Sequence, residues 1–404
     1  MSEPTAPDTG LEELLSRREI VVFCGSGGVG KTSTAAAAGL AAATRLRGRV
    51  LVVTVDPARR LANALGLEEL GNLERRVPDE LLRAAGLEPL GELYAAMLDT
   101  KASWDDLVLR HAPDEEAAYR ILENQLYANI SGRFVQSHDY IAMERLYELH
   151  TTGKYDLILV DTPPTRNAID FLEAPARMGD FFRGRLLRWL TMPYRIGGRR
   201  GARLLDFASR PFYQMADRIL GGQFLRDVAE FFVNFQAMEA GFVERSQAVE
   251  RLLHDRRTAF VVVTTLEDSP LHEAEFFCAA LDERDFHLGG MVVNRVLPDT
   301  LRGDDGRRAA RALRDAPDEL LTALAEVAPV LADKQATARV LRTAADTFRD
   351  FAVVATREAE LRAELDRGPK VLATVPALED DVHDVAGLAQ IGEALFADSI
   401  GRPR

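Results

Sequence analysis

Thiols are nearly missing from this chain: 404 residues hold two cysteines, Cys24 and Cys278, and no Cys-x-x-Cys. That excludes a disulfide framework and a thiolate metal site. Seven histidines (His111, His138, His150, His254, His272, His287 and His383) are scattered without ligand spacing, so no imidazole metal centre is expected either. No apolar run approaches the roughly 18 residues of a membrane span. The start, MSEPTAPDTG, lacks the cationic-then-apolar pattern of a secretory signal. A cytoplasmic chain with no transmembrane segment is expected. Positive charge is also in deficit, with a formal net charge of −13. A backbone-tracking nucleic-acid binder needs the opposite sign, so no specific nucleic acid is expected.

What is present is globular: 47% hydrophobic and 28% charged residues, enough for a large α/β domain carrying an insertion. Short β-branched runs recur: REIVVFCG near 20, then 50–56, 155–161, 259–265, 289–295 and 371–376. Helical patterns separate them, which predicts a mostly parallel sheet flanked by helices. The spacing is uneven. Asp56 and Asp161 are 105 positions apart, far more than one crossover needs. That interval reads as helices, including LEELGNLERR and GELYAAMLDTKASWDDLVLR, and 171–257 reads as a second helical stretch. The chain is therefore divided into a 1–18 extension and a 19–404 domain, with an inserted all-helical subdomain built from about 85–150 and 171–257. A last long helix is predicted from about 335 to 366, with Val340, Ala344, Phe348 and Phe351 along one face.

The first strand runs into Gly25-Ser26-Gly27-Gly28-Val29-Gly30-Lys31-Thr32, then an alanine-rich helix beginning with Ser33. This is G-x-x-x-x-G-K-[ST] in its required strand–loop–helix context. The backbone N–H groups curl around phosphate, Lys31 reaches the β and γ oxygens, and the Thr32 hydroxyl ligates Mg²⁺. A dinucleotide loop would not demand the Lys-Thr pair. The glycine loop occurs once, so one nucleotide site is expected. Asp161, after YDLILV, suits an aspartate that holds Mg²⁺ through water; Asp56, after VLVVTV, suits one that orients the attacking water. A helix cap or strand-end turn is the alternative for both. The guanine-reading Asn-Lys-x-Asp run is absent, and Asn294-Arg295-Val296-Leu297 occupies its place. ATP is therefore the expected nucleotide, with Asn294 read as an adenine contact or a turn residue.

GSGGVGKTSTAAAAG, VDPARRLANALG, DTPPTRNAIDFL, VVNRV and VPALED together resemble the arsenical-pump and tail-anchored-protein-targeting ATPase family, a deviant P-loop class that works as face-to-face dimers. The resemblance runs from about 19 to 396. It implies Mg-ATP hydrolysis, phosphate contacts at 25–33, a water-activating Asp56, a switch segment starting at Asp161, and adenine contacts by Asn294, Pro376 and Ala377. It implies a dimer with itself or with a homologous chain. Three departures stand out. Ser26 replaces the family's loop lysine, the switch reads Asp161-Thr162-Pro163-Pro164-Thr165-Arg166-Asn167 without the family's Gly and His, and the arsenite-binding and zinc-binding cysteines are absent.

Ten of 19 phenylalanines fall between 171 and 242. Phe224, Val228, Phe231, Phe235, Met238 and Phe242 follow helical spacing. Such a stripe is either ordinary core or a groove for apolar helices. Eight arginines against Asp180 alone lie between Arg177 and Arg203, facing water, a nucleic acid or anionic lipid in a peripheral membrane contact. The leading expectation is an ATPase whose cycle rearranges the helical subdomain around hydrophobic or membrane-protein clients. Energising anion efflux, a partition-type regulatory ATPase, and a nucleotide-binding scaffold with little turnover are the alternatives.

Overall fold

The computed structural model describes residues 10–55, 60–68, 70–98, 100–124, 127, 135–162, 173–177, 180, 238–365 and 370–397. In chain order, α1 is Leu11–Arg17, β1 Ile20–Cys24, α2 Lys31–Arg45, β2 Arg49–Thr54, α3 Arg60–Ala64, β3 Arg75–Arg76, α4 Asp79–Ala84 and β4 Glu92–Met97. Then follow α5 Thr100–His111, α6 Glu115–Leu122, α7 Val135–Thr151, β5 Leu157–Asp161, α8 Glu239–Leu253, β6 Thr258–Thr264, α9 Asp268–Glu283 and β7 Leu288–Val296. The chain closes with α10 Asp304–Asp315, α11 Asp318–Val327, α12 Lys334–Leu365, β8 Val371–Pro376 and α13 Val385–Ala397.

Among the described residues the strands form one sheet in the order β3-β4-β2-β5-β1-β6-β7-β8. All neighbours are parallel except β3 and β4. Strand alternation divides the core in two. Val21, Phe23, Val52, Leu159 and Val261 face a cluster completed by α1, α2 and α13, whereas Ile20, Val22, Val53, Val160 and Val262 face α7, α8 and α9. Burial on both faces explains why these strands read as continuous apolar runs. Helix α2 is alanine-rich because it lies close against the sheet. A Cβ at Gly39 would stand 2.3 Å from Val52 Cγ2.

Three expectations need correction. GELYAAM is strand, not helix: Leu93, Ala95 and Ala96 are buried and β4 pairs with β2 from Arg49↔Glu92 to Thr54↔Met97. Ala, Leu, Met and Glu favour helix locally, and ladder pairing at a buried sheet position overrides that preference. LEELGNLERR is not a helix either. Gly71 and Asn72 interrupt it, and Arg75 and Arg76 pair antiparallel with β4. Helix α12 forms, and of that face Phe348 packs while Val340 is 64% and Phe351 49% exposed and Ala344 is exposed too; Ala338, Ala345 and Ala355 are buried instead. Helix α10 crosses α12 closely, since a Cβ at Gly306 would meet Phe348 Cζ at 2.5 Å, and Ala338 is buried with Ala316 and Leu321.

Beside the sheet, Trp104, Ile121, Tyr140, Ala174, Met238 and Phe242 share a separate cluster. Rings of Trp104 and Tyr140 lie 6.1 and 6.2 Å from that of Phe242. Side chains from both helical stretches thus share one core, and the Arg245 guanidinium pairs across it with buried Glu144. Phe242 and Met238 are core. Phe224 to Phe235 and the arginines from 183 to 203 lie outside the described residues.

Candidate nucleotide site

Residues 25–30 connect β1, at the centre of the sheet, to the N-terminus of α2. The N–H groups of that terminus precede the first intrahelical bond. The first helical bond is Thr34 N–H to Gly30 O at 2.9 Å, so the N–H groups of Lys31, Thr32 and Ser33 head the helix, where an anion is favoured. Gly30, at φ 91°, turns the chain into the helix; a Cβ there would lie 2.3 Å from Asn294 Nδ2. Lys31 is only 6% exposed, and its ammonium donates to Ser26 O at 2.8 Å. Ser26 Oγ is buried without a hydrogen-bond partner among the described residues.

Register aligns three strand ends. Asp161, the last residue of β5, is level with Phe23 of β1 and Thr54 of β2. Its carboxylate is 1% exposed, and Oδ2 accepts from Thr32 Oγ1 at 2.7 Å and from Thr54 Oγ1 at 2.8 Å. The next hydroxyl, Thr162 Oγ1, donates to Phe23 O at 2.9 Å and fastens the end of β5 to β1. Thr54 was not singled out from sequence. A lone hydroxyl inside the apolar run VLVVTV was the available signal.

On the opposite rim, β7 ends beneath the loop. Asn294 is buried; its Nδ2 donates to Val29 O at 2.8 Å and its Oδ1 accepts from Arg295 N–H at 2.9 Å. Arg295 has φ 58° and donates from Nη1 to Gly28 O at 3.1 Å. Two consecutive side chains therefore brace the glycine loop. Pro376 is level with Val296, and Ala377 N–H donates to Val296 O at 2.9 Å. This places Pro376 and Ala377 on the rim that holds Asn294. Nothing in the sequence pointed to Arg295 as a brace.

Asp56, Arg59 and the switch residues 163–167 lie outside the described residues. Both thiols are buried. Burial pushes the Cys24 thiol well above its ordinary value and the Cys278 thiol up to about 12. Among the described residues no group of three or more His, Cys, Asp or Glu side chains is placed to hold a metal.

The family model described as "Anion-transporting ATPase" matches residues 18–327. Among curated relatives, "ATPase ASNA1 homolog" of Entamoeba dispar is 24% identical over 306 residues, covering 72% of this chain and 81% of its own. "ATPase BagA" of Mycobacterium tuberculosis is 22% identical over 403 residues, covering 97% and 96%. "ATPase GET3" of Podospora anserina is 24% identical over 302 residues, covering 73% and 79%.

Proposed function

The chain belongs to the anion-transporting ATPase family and is an ATPase; from that premise we propose that hydrolysis of Mg-ATP at residues 25–33 rearranges the helical segments around hydrophobic or membrane-protein clients. The observation that supports the site most directly is the buried Asp161 carboxylate hydrogen-bonded to Thr32 at the head of α2. Other features fit a phosphate chain. The N–H groups at the start of α2 precede any helical partner, Gly28 has nothing within 4 Å of where a Cβ would stand, and Ser26 Oγ is a buried hydroxyl with donor capacity to give. A hydroxyl and a carboxylate 2.7 Å apart are hard oxygen ligands suited to Mg²⁺.

In this reading Thr32 holds the ion directly and Asp161 holds it through water. The ion would supply charge neutralisation at the phosphate oxygens. Lys31 moves from Ser26 O to the phosphates, where its ammonium stabilises charge on the departing phosphoryl group. Asp56 orients the attacking water. Asn294, Pro376 and Ala377 form the adenine rim. The helical subdomain, its first segment starting after β4 instead of at about 85 and its second spanning about 171–257, moves with the switch that leaves the sheet at Asp161.

Client handling follows from the resemblance and from the phenylalanine-rich stretch. Anion efflux has less support, since both thiols are buried and held protonated, leaving no thiolate for arsenite. Among the described residues no helix is long and apolar enough to cross a membrane, so any membrane contact made by them is peripheral. The test is hydrolysis of ATP by the chain, alone and with a homologous chain, alongside retention of an apolar helical peptide in ADP and ATP-analogue states. Turnover with nucleotide-dependent retention is expected. Turnover with retention identical in every state would remove the client reading and leave the ATPase.

A further inference from the structure

Away from the nucleotide site, α10 and α12 enclose a groove of about 530 Å³. That is the size of sites that take small organic ligands. Ala345, Phe348, Ala352 and Val353 of α12 supply its apolar lining, with Val353 at the exposed margin. Its walls are cationic. Arg307, Arg311 and Arg314 recur at helical spacing along α10, and α12 adds Arg349 and Arg357. Only Asp346 and Glu360 oppose them within the lining, in a chain whose net charge is −13.

The arginines are not equally engaged. Arg357 pairs with Asp268 at 3.0 Å and with Glu360 at 3.2 Å, and Arg307 pairs with Asp304 at 2.7 Å. Asp346 is shared between Arg314 at 3.9 Å and Arg349 at 3.7 Å, both loose contacts. Arg311 has no ion pair among the described residues. A guanidinium fork with spare donors beside an apolar lining fits one chemistry, a carboxylate or phosphate joined to a hydrocarbon chain. A polyanion would leave the apolar lining uncovered, and a neutral chain would leave the surplus of positive charge along the groove unmatched.

We propose that this groove binds a single-chain anionic amphiphile, its carboxylate or phosphate head held by Arg311 and Arg314 and its chain laid over Phe348, Ala352 and Val353. The probes are decyl phosphate and decanoate below their micellar concentrations, titrated calorimetrically into the full chain. Decyl maltoside supplies the chain without the charge, inorganic phosphate the charge without the chain, and phosphatidylglycerol vesicles the same head chemistry fixed in a surface. One-to-one binding of both anionic probes is expected, with both single-feature controls weaker by about tenfold or more. Losing charge-assisted hydrogen bonds at Arg311→Glu should weaken decyl phosphate by about tenfold or more. Ala352→Trp, which crowds the apolar lining, should do the same, while ATP affinity stays unchanged in both variants. Equal affinity for decyl phosphate in the parent and both variants, or binding of phosphate alone, would overturn the assignment. A response to vesicles without one to the monomeric probes would replace it with a membrane-facing patch.

Discussion

At the scale of single residues, the chemistry converges on Asp161, a carboxylate held nearly dry between two threonine hydroxyls. Thr54→Val keeps the shape of that side chain and removes one donor. Its expected effect is a stability loss of about 2 kcal/mol, the scale of a hydrogen bond to a buried charged group, with the requirement for divalent metal retained, read from thermal unfolding and a Mg²⁺ titration of turnover. Lys31→Ala removes the cation proposed to stabilise the β and γ oxygens, so nucleotide affinity or turnover should fall by orders of magnitude. Unchanged values would return the loop to a structural turn. Asp56→Asn should separate binding from chemistry, with ATP still bound and hydrolysis slower by roughly 10²-fold or more. Single-turnover assays with bound ATP distinguish that result from weakened binding. Lys31, Thr32 and Asp161 were legible in sequence because a phosphate loop and a strand-end carboxylate are local patterns. Thr54 and Arg295 were not, because their roles come from strand register and from a left-handed residue at the end of β7, which a linear pattern does not encode.

Elements decide whether the loop keeps its shape. The end of β7 carries the brace, and α12 steadies that end in turn, since Glu358 accepts the Leu297 N–H at 2.9 Å. Gly30→Ala combines a φ of 91° with a Cβ 2.3 Å from Asn294 Nδ2. It should reduce nucleotide affinity, and adding Asn294→Ala should relieve the clash but not the backbone strain. Glu358 offers a pH signature. Burial is the main cause that raises its carboxyl above the ordinary 4.5, aided by Glu267 and opposed by the Leu297 N–H. The folded state therefore holds that proton more tightly than the unfolded chain does. This group's contribution falls as pH rises from 4.5 through the raised folded value. Glu358→Gln retains an acceptor for Leu297 without the charge, so its melting temperature relative to the parent should be higher at pH 7 than at pH 4. Equal differences at both values would assign the site no role in pH dependence. The strands that read clearly were those buried on both faces. β4 was misread because its helix-favouring residues are held in the ladder by β2, and the face of α12 was misread in part because Ala338, Ala345 and Ala355 gave no hydrophobic signal to set against Val340 and Phe351.

For the whole molecule, the question is how the nucleotide site receives its full complement of charge. The family's loop lysine is replaced by Ser26, so a symmetric pair of these chains contributes no cation from that position. Pairing with a homologous chain that keeps the lysine should raise turnover, while in a homodimer the cations proposed to compensate are Arg59, Arg60 or Arg166, close in sequence to the proposed catalytic loops. Native mass measurement with an ATP analogue, with and without the homologue, distinguishes the two. A monomer in every state with normal turnover would exclude both. Hydrogen exchange across 224–242 in apo, ADP and ATP-analogue states tests the proposed rearrangement, and identical protection in all three would make the stretch static. Whatever the partner, the margins of the sheet restrict how it docks. On one margin β3 is a two-residue, antiparallel strand of exposed arginines, with Arg76 paired to Asp79 at 3.1 Å and Glu92 at 3.6 Å. On the other, β8 loses register with β7 and ends at Pro376, which has no N–H to offer. Such borders give an incoming strand little to template on. Crowded copies are thereby guarded against cross-chain β-pairing and the fibrous aggregates it seeds, and assembly is left to helices and loops.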